Sequence, residues 1–408
     1  MINQQNSFIQ KYNKYDYGII ILIILLIFGN LGGALQPIRL VVLILSPLVW
    51  INIRYWNRND KRIIFITYFF IFWFIYAVLS LFWTSNVSEG VKELLYYYTH
   101  FSLFFILIIW ARKARFSKSS IINGWCILIM ISAPIAIYEI ITNQHLSSNI
   151  IDSESLKNFG GGFIIQLKFA SVTFGNKNGY VLVLVYALPF LFSKLLNNSG
   201  LKYQLLFWVL IFIFLYIIIT NASRGGIISS LISLIIFLFY YNRIKNKNKK
   251  KILFPLLTLI YIIITYYSVQ IFQQIILRLS IGSVIQDDSR MDLINSAFHL
   301  FFNSMFIGTG VGSIQTSMQL ISATINLPHN LFLELLVQYG IIIFILFIIS
   351  LISLFIRTKR SESIITKQIS YSLLLCLPIS SVIDSGYLLN PVLWVMFASI
   401  FIITSNNT

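Results

Sequence analysis

Uncharged apolar runs recur from one end of this chain to the other, and that recurrence most constrains its fold. Residues 18–28 and 205–219 carry no charged side chain, and similar stretches fill most of the sequence between them and after them. About 20 predominantly apolar residues suffice for a helix to cross the hydrocarbon core of a bilayer. Only 11% of the 408 residues are charged and 58% are hydrophobic, whereas a soluble globular chain has about 25% charged residues. The sequence therefore reads as an all-α, polytopic membrane protein, one integral membrane domain over residues 1–408. Twelve spans are expected, at about residues 17–33, 36–53, 63–83, 92–110, 119–141, 169–192, 203–220, 223–241, 252–271, 329–356, 368–384 and 388–404. The first run lacks a small-residue cleavage site, so no cleavable signal is expected. Cys126 and Cys376 both lie inside apolar runs and read as buried thiols.

The net charge of +17 resembles a nucleic-acid footprint, but the charges sort by connection. If the spans alternate, 22 of the 30 Lys and Arg residues fall in the amino-terminal tail and the even-numbered connections. The other eight are Arg39, Lys92, Lys157, Lys168, Lys177, Arg224, Arg278 and Arg290. Positive charge accumulates in cytoplasmic loops, so both termini are expected in the cytoplasm and no nucleic-acid partner is called for. The basic run at 242–251 then reads as a topology anchor near anionic lipid. The long 271–328 segment is expected to be a large external loop, folded as a cap on an active site.

That loop and its neighbours hold the residues able to do chemistry. Asn221, Ala222, Ser223, Arg224, Gly225 and Gly226 join two apolar helices. Ser223 or Asn221 can cap the second helix, whose free N–H groups favour an anion, and Arg224 adds a forked donor suited to phosphate. The bland alternative is a snorkelling arginine beside a small-residue packing face. Arg290, in a helix-like stretch with Leu293, Ala297 and Leu300 on one side, is a second phosphate candidate; a solvated helix start is its alternative. His329 opens a span at a helix amino end, where a further positive charge is disfavoured and the imidazole is expected to be able to accept a proton. Asn330, Glu334 and Gln338 follow as a polar stripe at i, i+4 and i+8, which faces the bundle rather than lipid. Glu334 and Gln338 read first as interhelical hydrogen-bonding groups. No nucleotide-binding loop is present, so substrates would arrive already activated, and a lipid-linked diphosphate fits two arginines and a base.

The segments SRGG (223–226), SR followed by an apolar helix (289–301), NSMFIGTGVG (303–312) and PHNLFLELLVQYG (328–340) resemble the O-antigen ligase/polymerase superfamily (Wzy/WaaL-like). Residues 171–179, SVTFGNKNG, are similar to a segment of Gram-positive capsule and teichuronic-acid polymerases. The resemblance covers roughly residues 170–345. It departs at Leu293 and Ile294, where the family often has Trp, and at Asn303 and Ser304, where it often has Asn-Pro. It implies a GT-C-type fold and an inverting, metal-independent glycosyltransferase with no cofactor. Carried over, Arg224 and Arg290 would bind the donor diphosphate. His329, with Arg290 the catalytic pair, would orient or deprotonate the acceptor hydroxyl, with Asn330 and Glu334 as candidate supporting residues.

The expected function is a polymerase of surface polysaccharide biosynthesis. It would transfer glycan from undecaprenyl diphosphate to a lipid-linked repeat unit at the outer face of the cell membrane. The expected partners are that lipid-linked oligosaccharide, membrane lipid, a flippase and a chain-length regulator. A ligase using the same donor, and a non-enzymatic transporter or flippase of lipid-linked sugar, stay open as alternatives. A transporter should show internal repeats and unpartnered charges at mid-membrane, and Glu139 is the one acid that reads as well inside a span without an obvious partner.

Overall fold

The computed structural model describes residues 12–53, 61–146, 156–159, 163–166, 168–197, 201–243, 283–321 and 327–405. Its elements run in order α1 (Lys14–Ile24), α2 (Pro37–Ile53), α3 (Lys61–Leu79), α4 (Val87–Lys113) and α5 (Ser117–Thr142). A short hairpin, β1 (Leu156–Phe159) and β2 (Phe163–Gln166), leads to α6 (Lys177–Asn197), α7 (Leu201–Thr220) and α8 (Arg224–Arg243). Then come α9 (Ser283–Asn303), α10 (Ile314–Ile321), α11 (Leu331–Arg360), α12 (Ile364–Ser380) and α13 (Pro391–Ile403). Among the described residues seven helices, α3 to α8 and α11, are long and apolar enough to cross a membrane, and α2, α12 and α13 are shorter apolar helices. The chain is thus a polytopic helical membrane protein. The expected span at 252–271 lies outside the described residues. The hairpin, with Leu156 paired to Gln166 in antiparallel register, is a small departure from an all-helical chain.

α6 is the axis of the bundle. A helix that is apolar all round must be buried all round, and every residue from 179 to 193 is buried. Around it pack α5, α7, α8 and α12. On the far side of the bundle, Trp73, Tyr97, Phe101, Tyr339 and Trp394 interlock as an aromatic core shared by α3, α4, α11 and α13. Cys126 and Cys376 are free and buried.

Hydrogen bonds between connections show which helix ends lie together. At one end Asp16 accepts from the Arg115 and Phe116 amides and the Ser120 hydroxyl, and Asn13 donates to the Lys113 carbonyl. This is the basic end, where Arg112, Lys113, Arg115 and Lys118 lie. At the other, loop-rich end, Asn30 bonds the Phe174 carbonyl, Arg39 the Leu389 carbonyl, Asn176 the Asp384 carboxylate and Ser85 the Thr316 hydroxyl. Among the described residues, these connections, grouped by charge in the sequence, therefore also group in space.

Irregular backbone inside a membrane protein needs internal partners for its N–H groups, and here buried carboxylates supply them. Glu139, at the end of α5, accepts from the amides of Ser171 and Val172 at 2.7 and 2.8 Å and from that of Leu146 at 3.0 Å, with the His145 Nδ1 3.6 Å away. This overturns its reading as an acid without a partner. It also explains why α6 starts at Lys177 and not at 169. Residues 168–176 form a loop clipped to Glu139, with Val172 and Gly175 at φ of 54° and 73°. Glu93, buried in α4, accepts from the Gly312 amide at 3.0 Å and from the Gln338 side chain of α11.

α11 is broken. Gly340 has φ 71° and ψ −172°, and the chain after α9 fills the gap. The Phe306 carbonyl takes the Ile341 amide at 3.0 Å, while the amides of Thr309 and Gly310 donate to the carbonyls of Val337 and Gln338 at 2.8 and 3.0 Å. The glycine run is needed for this close approach: Gly312 has φ 74°, and a Cβ there would overlap the backbone of Gly90 in α4. The amides of Val311 and Gly312 are taken by Ser80 and Glu93. The run is therefore a packing device whose N–H groups are already engaged.

Candidate functional site

Three helix starts at the loop-rich end, and the connection that joins them, build the site. Ser223 caps α8, its hydroxyl accepting the Gly226 amide at 3.3 Å, and Arg224 is the exposed first residue of that helix. Asn221 does not cap. It is buried and locks onto Ala170, accepting that residue's amide at 2.7 Å and donating to its carbonyl at 2.8 Å. The SRGG start is thereby tied to the loop that Glu139 clips. Gly226 leaves no room for a Cβ beside Val181 of α6, which draws the α8 start onto the central helix.

At the α6 start, Asn176 accepts the Gly179 amide at 2.6 Å and donates to Asp384 at 3.2 Å. At the α11 start, Asn330 is the cap, accepting the amides of Phe332 and Leu333 at 2.9 and 3.3 Å. His329 precedes it at φ 46°, partly buried. The left-handed region is open to His more often than to most residues, and here it turns the chain into the helix.

The connection between α12 and α13 joins these starts. The Leu331 amide donates to the Ser381 carbonyl at 3.1 Å. A Cβ on Gly225 would come within 2.8 Å of Ile383. Glu334 clips the same connection, accepting the amides of Gly386 and Tyr387 at 2.8 and 2.9 Å. The Tyr387 hydroxyl donates to the Ser380 carbonyl and accepts the Asp384 amide. The helix starts that carry Arg224 and His329 therefore flank residues 381–383 from two sides. Positive ends of helix dipoles converge there, an arrangement suited to an anion. Asp384 is 8% exposed, and burial, opposed by hydrogen bonds from the Ser385 backbone and the Asn176 side chain, pushes its carboxyl up to about 6.

Arg290 lies in α9, and its side chain is outside the described residues. Its helix is placed by its neighbours. Leu293, Ala297 and Leu300 share one apolar cluster with Leu333 and Val337 of α11 and with Ile314 and Met318 of α10, and the chain just past α9 fills the α11 break. α9 and the first half of α11 thus run side by side in the same direction. Arg290, one turn before Leu293, belongs to the same end as His329, one turn before Leu333.

Sequence reasoning did not single out Asp384, since a lone acid in a short connection carries no spacing signal; Asn176 lies in the 171–179 segment that the resemblance picked out, but without a role of its own. Gln338, by contrast, makes the interhelical bond its position suggested. Among the described residues no three His, Cys, Asp or Glu side chains gather as a metal site.

Residues 209–348 match the family described as O-Antigen ligase, a stretch from α7 into α11 that contains Arg224, Arg290 and His329. Over 286 residues the chain is 22% identical to the Teichuronic acid biosynthesis protein TuaE of Bacillus subtilis (strain 168), covering 67% of this chain. The chain spans 57% of that relative's length. Both findings bear out the resemblance read from the motifs: residues 209–348 match the O-antigen ligase family, and the chain is similar to a protein of teichuronic acid biosynthesis.

Proposed function

We propose that the protein is a polymerase of surface polysaccharide biosynthesis, moving glycan from undecaprenyl diphosphate to a lipid-linked repeat unit at the outer face of the cell membrane. The observation that carries this reading is the convergence of the SRGG and His329 helix starts on residues 381–383. Arg224 and Arg290 hold the donor diphosphate, and forked donors suit its oxygens. His329 takes the proton of the acceptor hydroxyl as its oxygen bonds the anomeric carbon with inversion. The bond from that carbon to the phosphate oxygen breaks, and its electron pair leaves on the diphosphate, where two arginines offset the growing charge. Asn330 and Glu334 support by fixing the helix start and the connection beneath it. No divalent ion is required in this scheme. The loop-rich end faces outward and both termini are cytoplasmic, as the distribution of basic residues favours.

A ligase is the second reading, favoured by the description of the matched family; it differs only in the acceptor. Transport is less well supported, because Glu93, Glu139 and Glu334 are each engaged by backbone amides.

The test is single-turnover transfer and donor binding with protein in nanodiscs. His329→Ala should lose roughly 10²–10⁴-fold in rate while still binding donor. Arg224→Lys and Arg290→Lys should fail almost as badly as the alanine variants and weaken donor binding. Near-normal transfer by His329→Ala would remove the base assignment. In a deletion strain, single repeat units should remain while long chains vanish; units accumulating only on the inner leaflet would instead favour transport.

A further inference from the structure

α9 carries three stripes. The first, Leu293, Ala297 and Leu300, is buried against α10 and α11. The second, Met291, Phe298 and Phe302, is exposed and runs on into Met305, Phe306 and Ile307, with Met305 at 82% exposure. The third, Asn295, His299 and Asn303, is exposed and polar, with the Asn303 amide 3.2 Å from His299 Nδ1.

Two observations say what covers the second stripe. One is depth. The turn at 304–308 is seated at the α11 break, nine residues past that helix's start, or about 14 Å along a helix rising ~1.5 Å per residue. Half the hydrocarbon core is about 15 Å. The other is continuity. The Tyr76 hydroxyl of α3 bonds the Ile307 carbonyl, so the turn abuts the exposed face of α3 with Phe72, Ile75 and Leu79. On α11 it abuts the exposed Ile341, Ile342 and Ile345. These are exposed apolar faces of helices long and apolar enough to cross a membrane. Residues 293–333 also contain no Lys, Arg, Asp or Glu.

We infer that the Met291, Phe298 and Phe302 stripe and the 305–307 turn are embedded in the hydrocarbon of the adjoining leaflet. α9 enters the bilayer from the loop-rich side and turns back at the α11 break without crossing. Its polar stripe borders a wet cleft, so the 271–328 segment is external only in part. If the reading under Proposed function holds, this wedge fixes Arg290 at the level of the membrane surface, where a lipid-linked diphosphate must lie.

The test is spin-label accessibility in substrate-free nanodiscs. Both native cysteines are buried, so labels can be placed singly at F298C, F302C, M305C, N295C, N303C and the exposed Gln315 of α10 (Q315C). The first three should collide with oxygen severalfold more than with a water-soluble nickel chelate, and the last three should show the reverse. I307C replaces M305C should that variant fail to purify. Equal nickel access at all positions would overturn the inference. So would protection of position 305 appearing only when a polyprenyl-diphosphate glycan is added, since the substrate chain would then be the cover. No transfer is measured, so failure here leaves the catalytic reading standing.

Discussion

Removing the Glu334 clip should loosen the α12–α13 connection by a calculable amount. The carboxylate satisfies two amides, that of half-buried Gly386 at 2.8 Å and that of buried Tyr387 at 2.9 Å. A buried donor left without an acceptor costs roughly 1–3 kcal/mol. Glu334→Ala abandons both, for a loss of roughly 1–4 kcal/mol, since the half-buried Gly386 amide forfeits less than the full penalty. Releasing the carboxylate from its own burial offsets part of that, which places the expected loss toward the lower end. Glu334→Gln keeps one acceptor oxygen and turns an amide against the other N–H, so roughly 1–3 kcal/mol should be lost. The assay is thermal unfolding in nanodiscs together with hydrogen exchange of a peptide spanning 384–389. Both variants should melt lower, alanine more than glutamine, and exchange at Gly386 and Tyr387 should quicken in the same order. An alanine variant that melts like the wild type and keeps both amides protected would refute the clip.

Asp384 titrates near 6 in the folded protein, above its ordinary value of about 3.9, so the folded state binds its proton more tightly. Its contribution to stability is full below about pH 4 and lost as pH rises through about 6. Asp384→Asn should therefore leave melting unchanged at pH 4 and raise it at pH 7.5, by up to about 3 kcal/mol; an equal shift at both pH values would contradict this. Gly312→Ala should abolish recovery of folded protein from detergent extracts, because its Cβ would overlap the Gly90 backbone. Gly33→Ala, with φ 55° but nothing within 4 Å of a Cβ, should cost only about 1–2 kcal/mol. A reporter fused at Lys247 should read as cytoplasmic and one at Ser313 as external; an external Lys247 would reverse the orientation.

The helices were legible because apolar length and basic connections are properties of single segments. α7 and α8 lie within two residues of the spans expected for them. The start of α6 was not legible, because a buried acid 32 residues earlier holds Ser171 out of the helix. Arg224, Arg290 and His329 stood out as rare charged or titratable groups beside apolar runs. What joins their helix starts, the Ser381 carbonyl and the Ile383 side chain, has no such mark, since a backbone acceptor and a contact with glycine can belong to any residue. Gly340 likewise reads in sequence as an ordinary helical glycine, and only the arriving 305–310 backbone reveals why it is there.

That break has a consequence for biogenesis. The amide of Ile341 and the carbonyls of Val337 and Gln338 bond to residues 306, 309 and 310. A helix entering lipid alone with those groups open would leave polar backbone in hydrocarbon, at several kcal/mol for each group. α11 is therefore not an autonomous inserting unit in its final shape. Its partner segment is synthesised first and must wait at the membrane, so a chain ending before residue 331, once released from the ribosome, should keep its 304–310 segment open to protease.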